Sequence, residues 1–254
     1  MYGYTKDEAI GRHVNILHVP EDSEHITAKV IAAVLQDGYW SGEIRMLRKD
    51  GHIGWIESMC VPVFDDYGQM NGALGINRDI TERKKEADRL NHLAYYDQLT
   101  NIPNRYLLLD RITHLIAQSD RNEKSFALFF IDIDNFKHIN DTKGHAFGDQ
   151  ILVETATRLK EFIRNSDTAA RMGGDEFVLL LENVANAQDA TAVAIKLLQT
   201  LNQSYLSGNE SFEFTCSVGI SIYPHNGTTQ DALLAYADKA MYEAKHKKRG
   251  TFAK

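Results

Sequence analysis

Alternation of apolar and polar positions divides the chain into two unlike stretches. Before about residue 80, short strand-like runs are separated by turn signals. A helical opening at Lys6 to Gly11 comes first. Trp40 to Leu47, a turn at Arg48-Lys49-Asp50-Gly51, Ile53 to Val63, a turn at Asp65 to Gly68, and Gly72 to Arg78 then predict a three-stranded antiparallel meander. Asp79 with Glu82 three positions on predicts a capped helix start. The charged stretch that follows carries Ile80, Ala87 and Ala94 at seven-residue spacing with Leu90 between, a seam of only about two heptads. It reads as a connecting helix or a short dimer stalk.

From residue 96 onward the period switches between helix and strand. Asn101 and Pro103 open a helix whose face is Leu107, Leu108, Arg111, Ile112, Leu115 and Ile116. Next come a strand at Phe126 to Ile133, a helix from about Gly148 to Ile163, and a hairpin with arms Thr168 to Met172 and Phe177 to Leu181. A helix near Ala187 to Leu201, a strand at Phe212 to Tyr223 and a final helix from Gln230 to Lys247 complete the series. This βαββαβ order predicts an α+β fold with helices on one face of the sheet.

Composition narrows the function classes. In 254 residues, 43% apolar and 25% charged, there is room for two modest cores and no apolar run of bilayer length. Two distant cysteines, Cys60 and Cys216, argue against a disulfide framework and suit the reducing cytoplasm. A net charge of −7 disfavours nucleic acid as a partner, and the 10 histidines lack zinc-site spacing. The candidate chemistry is acidic. Gly173-Gly174 forms a tight turn with Asp175 and Glu176 at its tip, and Asp132-Ile133-Asp134 closes the strand from Phe126. If those strands are neighbours, their carboxylates converge, which is costly unless divalent cations neutralise them.

Four segments resemble the GGDEF family: Asp97 to Arg105, Phe130 to Asp149, Arg171-Met172-Gly173-Gly174-Asp175-Glu176-Phe177, and Ala237 to Lys245. They stand in that family's order across 96–254. The resemblance implies a nucleotidyl-cyclase, palm-like domain and diguanylate cyclase activity, joining two GTP into cyclic di-GMP with release of pyrophosphate. Residues 1–81 resemble a PAS sensor through Gly3-Tyr4, Lys49-Asp50-Gly51 and Asp79-Ile80-Thr81, leaving 82–95 as the linker helix. The first two strands usual in a PAS fold have no counterpart here. This predicts that the chain is a piece of a longer protein and puts a buried ligand pocket in question.

The resemblance assigns roles. Asp132, Asp175, Glu176 and the Ile133 carbonyl would hold two Mg²⁺ per active site, with Mn²⁺ able to substitute. Asp175 would also be base toward the 3′-hydroxyl, and Lys137 would stabilise the transition state. Asp134 is left outside the ligand set as facing away. Asn140 and a buried Asp149 would read guanine, while Lys245 and Arg249, i and i+4 on the last helix, would grip phosphate. Arg164 and Asp167 resemble a product-inhibition site, with Lys196 as a further basic candidate. A two-fold symmetric product requires two half-sites face to face, hence a homodimer. The alternative is a non-catalytic module that binds GTP or cyclic di-GMP, within a longer GGDEF-EAL protein.

Overall fold

The strand β4 (Phe126–Ile133) is buried at every position, which places it centrally with both faces covered. The computed structural model describes residues 1–184, 186–207 and 210–254. They form two units, Met1–Asn91 and His92–Lys254.

In the first unit, α1 (Lys6–Ala9) and a 3₁₀ turn (Val14–Leu17) precede α2 (Pro20–Asp37). The strands β1 (Trp40–Leu47), β2 (Ile53–Phe64) and β3 (Met70–Asp79) then form the antiparallel order β1-β2-β3. Helix α2 was not foreseen from the strand alternation, although Pro20 opens it and Gly38 closes it at φ 78°. Its Val34 joins Trp40, Ile44, Met46 and Ile56 in a small core. A cavity of about 280 Å³ remains beside that core, lined by Tyr2, His18, Ser58, Cys60 and Asn77 among others. This cavity opens to the surface at the exposed residues His13, Val14, Ile31 and Ala73. Helix α3 (Thr81–Tyr95) starts where Thr81 N donates to Asp79 Oδ1 at 2.9 Å, while Glu82 pairs with Lys85 at 3.1 Å rather than completing a capping box.

The second unit runs α4 (Arg105–Asn122), β4, α5 (Phe136–Lys143), α6 (His145–Phe162), β5 (Thr168–Gly173), β6 (Glu176–Glu182) and α7 (Ala187–Leu201). The strand pair β7 (Tyr205–Ser207) and β8 (Glu210–Phe212) follows, then β9 (Cys216–Tyr223), α8 (Gln230–Lys247) and β10 (Phe252–Ala253). The sheet order is β10-β9-β4-β6-β5. Helices cover both faces, not one. Phe126, Leu128 and Phe130 pack against α4 and α8, while Ala127, Phe129 and Ile131 pack against α6 and α7. Continuous apolarity along β4 is the signal that a one-faced reading overlooks. Helix α8 lies directly on β9 at Gly219, where an added Cβ would stand 1.9 Å from the Ala237 carbonyl. Arg158 closes the end of α7, its Nη1 donating to the Leu201 and Gln203 carbonyls at 2.8 and 2.7 Å. The strand read at Phe212 to Tyr223 is divided, Phe212 belonging to β8 and Cys216 starting β9.

Candidate functional site

Antiparallel pairing of β4 with β6 sets Asp132 opposite Glu176, so their Cβ atoms stand roughly 5 Å apart on one face. The Gly173-Gly174 turn brings Asp175 to the same end of the sheet. Its two glycines sit at φ 148° and 52°, conformations costly for side-chain-bearing residues. Ile133 N donates to the Asp175 carbonyl at 3.4 Å, which straps the turn to the end of β4. The two acidic clusters, 43 positions apart by numbering (175 − 132), therefore meet.

The residues at this end have the chemistry of a divalent-cation site. Asp132 is nearly buried, and burial, with Asp175 and Asp134 close by, holds its carboxyl above the ordinary value even against the opposing pull of Lys245. Burial also raises Glu176, reinforced by the charges of Asp238, Asp132 and Asp175. Oxygen donors gathered with too little positive charge favour a hard dication such as Mg²⁺. Among the described residues, no three ligating side chains already surround one point. Lys245 Nζ instead occupies Asp132 Oδ1 at 2.5 Å.

Asp134 is held elsewhere. Residues two apart share a strand face, so it would align with Asp132 if β4 continued, but the strand stops at Ile133 and Asn135 turns left-handed at φ 59°. The Asp134 carboxylate accepts from Thr215 Oγ1 at 2.6 Å, Ser217 Oγ at 2.8 Å and Gly250 N at 2.9 Å.

Lys137 is exposed in the first turn of α5. Asn140 lies about one turn further along that helix, with its Oδ1 buried and lacking any hydrogen-bond partner. Helix α6 passes over it at Gly148, where a Cβ would come 1.9 Å from that oxygen. A buried polar atom without a partner is a costly arrangement that a bound ligand could relieve. Asp149 is exposed rather than buried, and α6 starts at His145, so Asp149 does not cap it. Arg249 is not on the last helix, which ends at Lys247; it lies in the exposed turn that follows.

A second cavity of about 360 Å³ lies between the end of α6 and α7, lined by Arg164, Asp167, Glu182, Asp189, Val193 and Lys196. Asp167 Oδ2 accepts from Arg164 N at 3.1 Å and Oδ1 from Glu182 N at 3.1 Å, which fixes the carboxylate at the rim. Sequence reasoning missed Asp238, one of the charges that raise Glu176. It stands seven residues before Lys245 on α8, a spacing that puts both on one helix face.

Residues 94–251 match the family model described as "Diguanylate cyclase, GGDEF domain", and residues 1–77 match the PAS fold. Over 160 residues the chain is 43% identical to the bifunctional diguanylate cyclase/cyclic di-GMP phosphodiesterase MucR of Pseudomonas aeruginosa, covering 63% of this chain and 23% of that protein. Over 163 residues it is 39% identical to diguanylate cyclase TpbB of the same species, covering 64% and 38%. The GGDEF domain of TpbB superposes with a TM-score of 0.60 at 38% identity, over 63% of this chain and 93% of that one. The GGDEF domain of DgcB from Caulobacter crescentus, solved with c-di-GMP, superposes with a TM-score of 0.55 at 29% identity, over 63% and 93%. The matched region thus spans less than half the length of these two curated relatives. Among the described residues no helix is long and apolar enough to cross a membrane. The domain match extends over more than half of the 254 residues, and the chain belongs to the diguanylate cyclase GGDEF-domain family.

Proposed function

We propose that this chain condenses two GTP molecules into cyclic di-GMP, releasing two pyrophosphates. One observation carries the reading: the ladder that sets Asp132 opposite Glu176, with Asp175 strapped beside them by the Ile133 amide. Residues 96–254 form the catalytic part, 1–81 the sensor and 82–95 the linker.

In this scheme the 3′-oxygen of one GTP attacks the α-phosphorus of the other, and the bond to the pyrophosphate oxygen breaks. Asp175 takes the hydroxyl proton. Two Mg²⁺, or Mn²⁺, held by Asp132, Asp175, Glu176 and the Ile133 carbonyl would supply charge neutralisation at the phosphates. Lys137, Lys245 and Arg249 bring positive charge to the triphosphate, Lys245 exchanging Asp132 for phosphate oxygen. Asn140, with its unpartnered oxygen, and Asp149 accept from the N1–H and amino group of guanine. Adenine lacks that donor pair and would leave them unpaired.

Each domain holds one GTP, so turnover takes place in a homodimer. The cavity bounded by Arg164, Asp167 and Lys196 suits the guanine edges of cyclic di-GMP, making product the inhibitor. This reading places the reaction in the cytoplasm. Purified chain incubated with GTP and Mg²⁺ should yield a dinucleotide separable by chromatography. GTP or cyclic di-GMP binding without any such product would instead identify a non-catalytic binding module.

A further inference from the structure

Arg171 lies on β5 just before the signature turn, and its guanidinium is shared between two acceptors. Nη1 donates to Asp97 Oδ1 and Oδ2 at 2.9 and 3.1 Å. Nε and Nη2 both donate to the Gly174 carbonyl, at 3.1 and 2.7 Å. Asp97 is itself fixed by its own loop, accepting from Thr100 N at 2.9 Å and Thr100 Oγ1 at 2.6 Å. Arg171 N adds a bond to the Pro103 carbonyl at 2.9 Å. The next residue, Asn104, donates from its backbone to the Tyr95 carbonyl at 2.9 Å and from Nδ2 to the Ala94 carbonyl at 2.8 Å.

Two consecutive glycines impose no shape of their own, so the turn must take its shape from its surroundings. The Gly174 carbonyl belongs to the same peptide plane as the Asp175 nitrogen. A fork of two N–H groups on that carbonyl therefore orients the backbone from which the Asp175 side chain departs. Only a planar guanidinium can hold this carbonyl and the Asp97 carboxylate together; a lysine is a point donor.

We propose that Arg171 and Asp97 are positioning residues: Arg171 sets the Gly174–Asp175 peptide plane and thereby the aim of the Asp175 carboxylate, and Asp97 holds the guanidinium in register. This rests on the role given above to Asp175. A merely structural strap would lower thermal stability and leave the folded protein's metal affinity and kcat unchanged.

The test uses the full chain, with Arg171→Lys, Asp97→Asn and the double variant compared with wild type. The readouts are kcat, KM for GTP, thermal midpoint, and Mn²⁺ affinity from the free-ion electron paramagnetic resonance signal. Arg171→Lys should fold, keep KM within about twofold, and lose about tenfold or more in kcat, because small misplacements of catalytic groups cost that much. Its Mn²⁺ affinity should fall about threefold or more. Asp97→Asn, which keeps an oxygen for Thr100, should shift both quantities the same way by less. The double variant should be no worse than Arg171→Lys, since the two side chains act as one unit. Folded Arg171→Lys with near-normal kcat and Mn²⁺ affinity overturns the proposal, as do single losses that multiply in the double variant. If the wild type makes no cyclic dinucleotide, the cyclase reading falls. The Mn²⁺ arm then decides alone: weaker binding upholds the positioning role and unchanged binding refutes it.

Discussion

Lys245 Nζ stands 2.5 Å from Asp132 Oδ1, joining the last helix to the central strand across 113 residues of sequence. It is a cation in contact with the buried Asp132 carboxylate, where Asp175, Glu176 and Asp238 add negative charge. Replacing it by methionine leaves Asp132 buried without its counter-ion. Lys245→Met should therefore lose about 1–3 kcal/mol of stability in a chelator and recover more than wild type does when Mg²⁺ is added. Thermal midpoints with EDTA and with Mg²⁺ measure both. Equal Mg²⁺ responses in the two proteins would deny the acids a cation.

Asp175→Ala removes the proposed ligand and base while leaving the Ile133-to-Asp175 backbone bond in place. Product formation should fall by about a hundredfold or more, with the thermal midpoint within a few degrees of wild type. Turnover near normal would remove Asp175 from the mechanism.

At Gly148 an added methyl would overlap Asn140 Oδ1 at 1.9 Å. Gly148→Ala should push Asn140 aside, raise KM for GTP at least about tenfold and cost about 1–3 kcal/mol of stability. An unchanged KM in the folded variant would mean that Asn140 does not read the base.

Arg164 is exposed at the mouth of its cavity, and its backbone is tied to Asp167 twice, its amide donating to Oδ2 at 3.1 Å and its carbonyl accepting from Asp167 N at 3.0 Å. Arg164→Ala should leave the initial rate unchanged and raise the cyclic di-GMP concentration for half-inhibition about tenfold or more. Initial-rate assays with added product decide this, and persistent inhibition would clear the cavity of that role.

The Asp97 strap carries a pH signature. Burial alone would raise its carboxyl, but the Thr100 hydroxyl and amide and the Arg171 guanidinium outweigh burial and hold it below the ordinary 3.8. A depressed carboxylate adds stability above its unfolded value and loses it as pH falls through its folded value. The stability gap between wild type and Asp97→Asn should thus be full near neutrality and close in acid below 3.8. Denaturant titrations across that range measure it, and a gap independent of pH would assign the loss to packing.

Local signals carried much of the fold. The alternation along β1 to β3, the turn at Arg48 to Gly51 and the helix start at Gln230 are properties of a few adjacent residues, and the elements form where those residues stand, while α4 begins two residues past Pro103 with Asn104 as its cap. Partition was harder to read where the period ran through a break. Residues 212–223 keep one alternation, yet pairing with β7 claims Phe212 and pairing with β4 begins only at Cys216. Helix α5 left no trace in the pattern because Asn135 must turn left-handed before it starts, which no hydrophobic period reports. In the site, Asp132, Asp175 and Glu176 were legible because their motifs sit at strand ends. The contacts that hold those residues were not: Asp97 and Arg171 are 74 positions apart, and Asp134 meets Thr215, Ser217 and Gly250 only after folding.

That last junction alters the standing of the residues after α8. Gly250 N reaches back to Asp134, Val218 N donates to the Thr251 carbonyl at 2.9 Å, and Phe252 and Ala253 add a short parallel strand to β9. These residues form a clasp. It ties the turn after β4 to β9, whose Ser217 stands opposite Asp132, so clipping the chain after Lys247 would unfasten that side of the acidic cluster without touching any of its carboxylates.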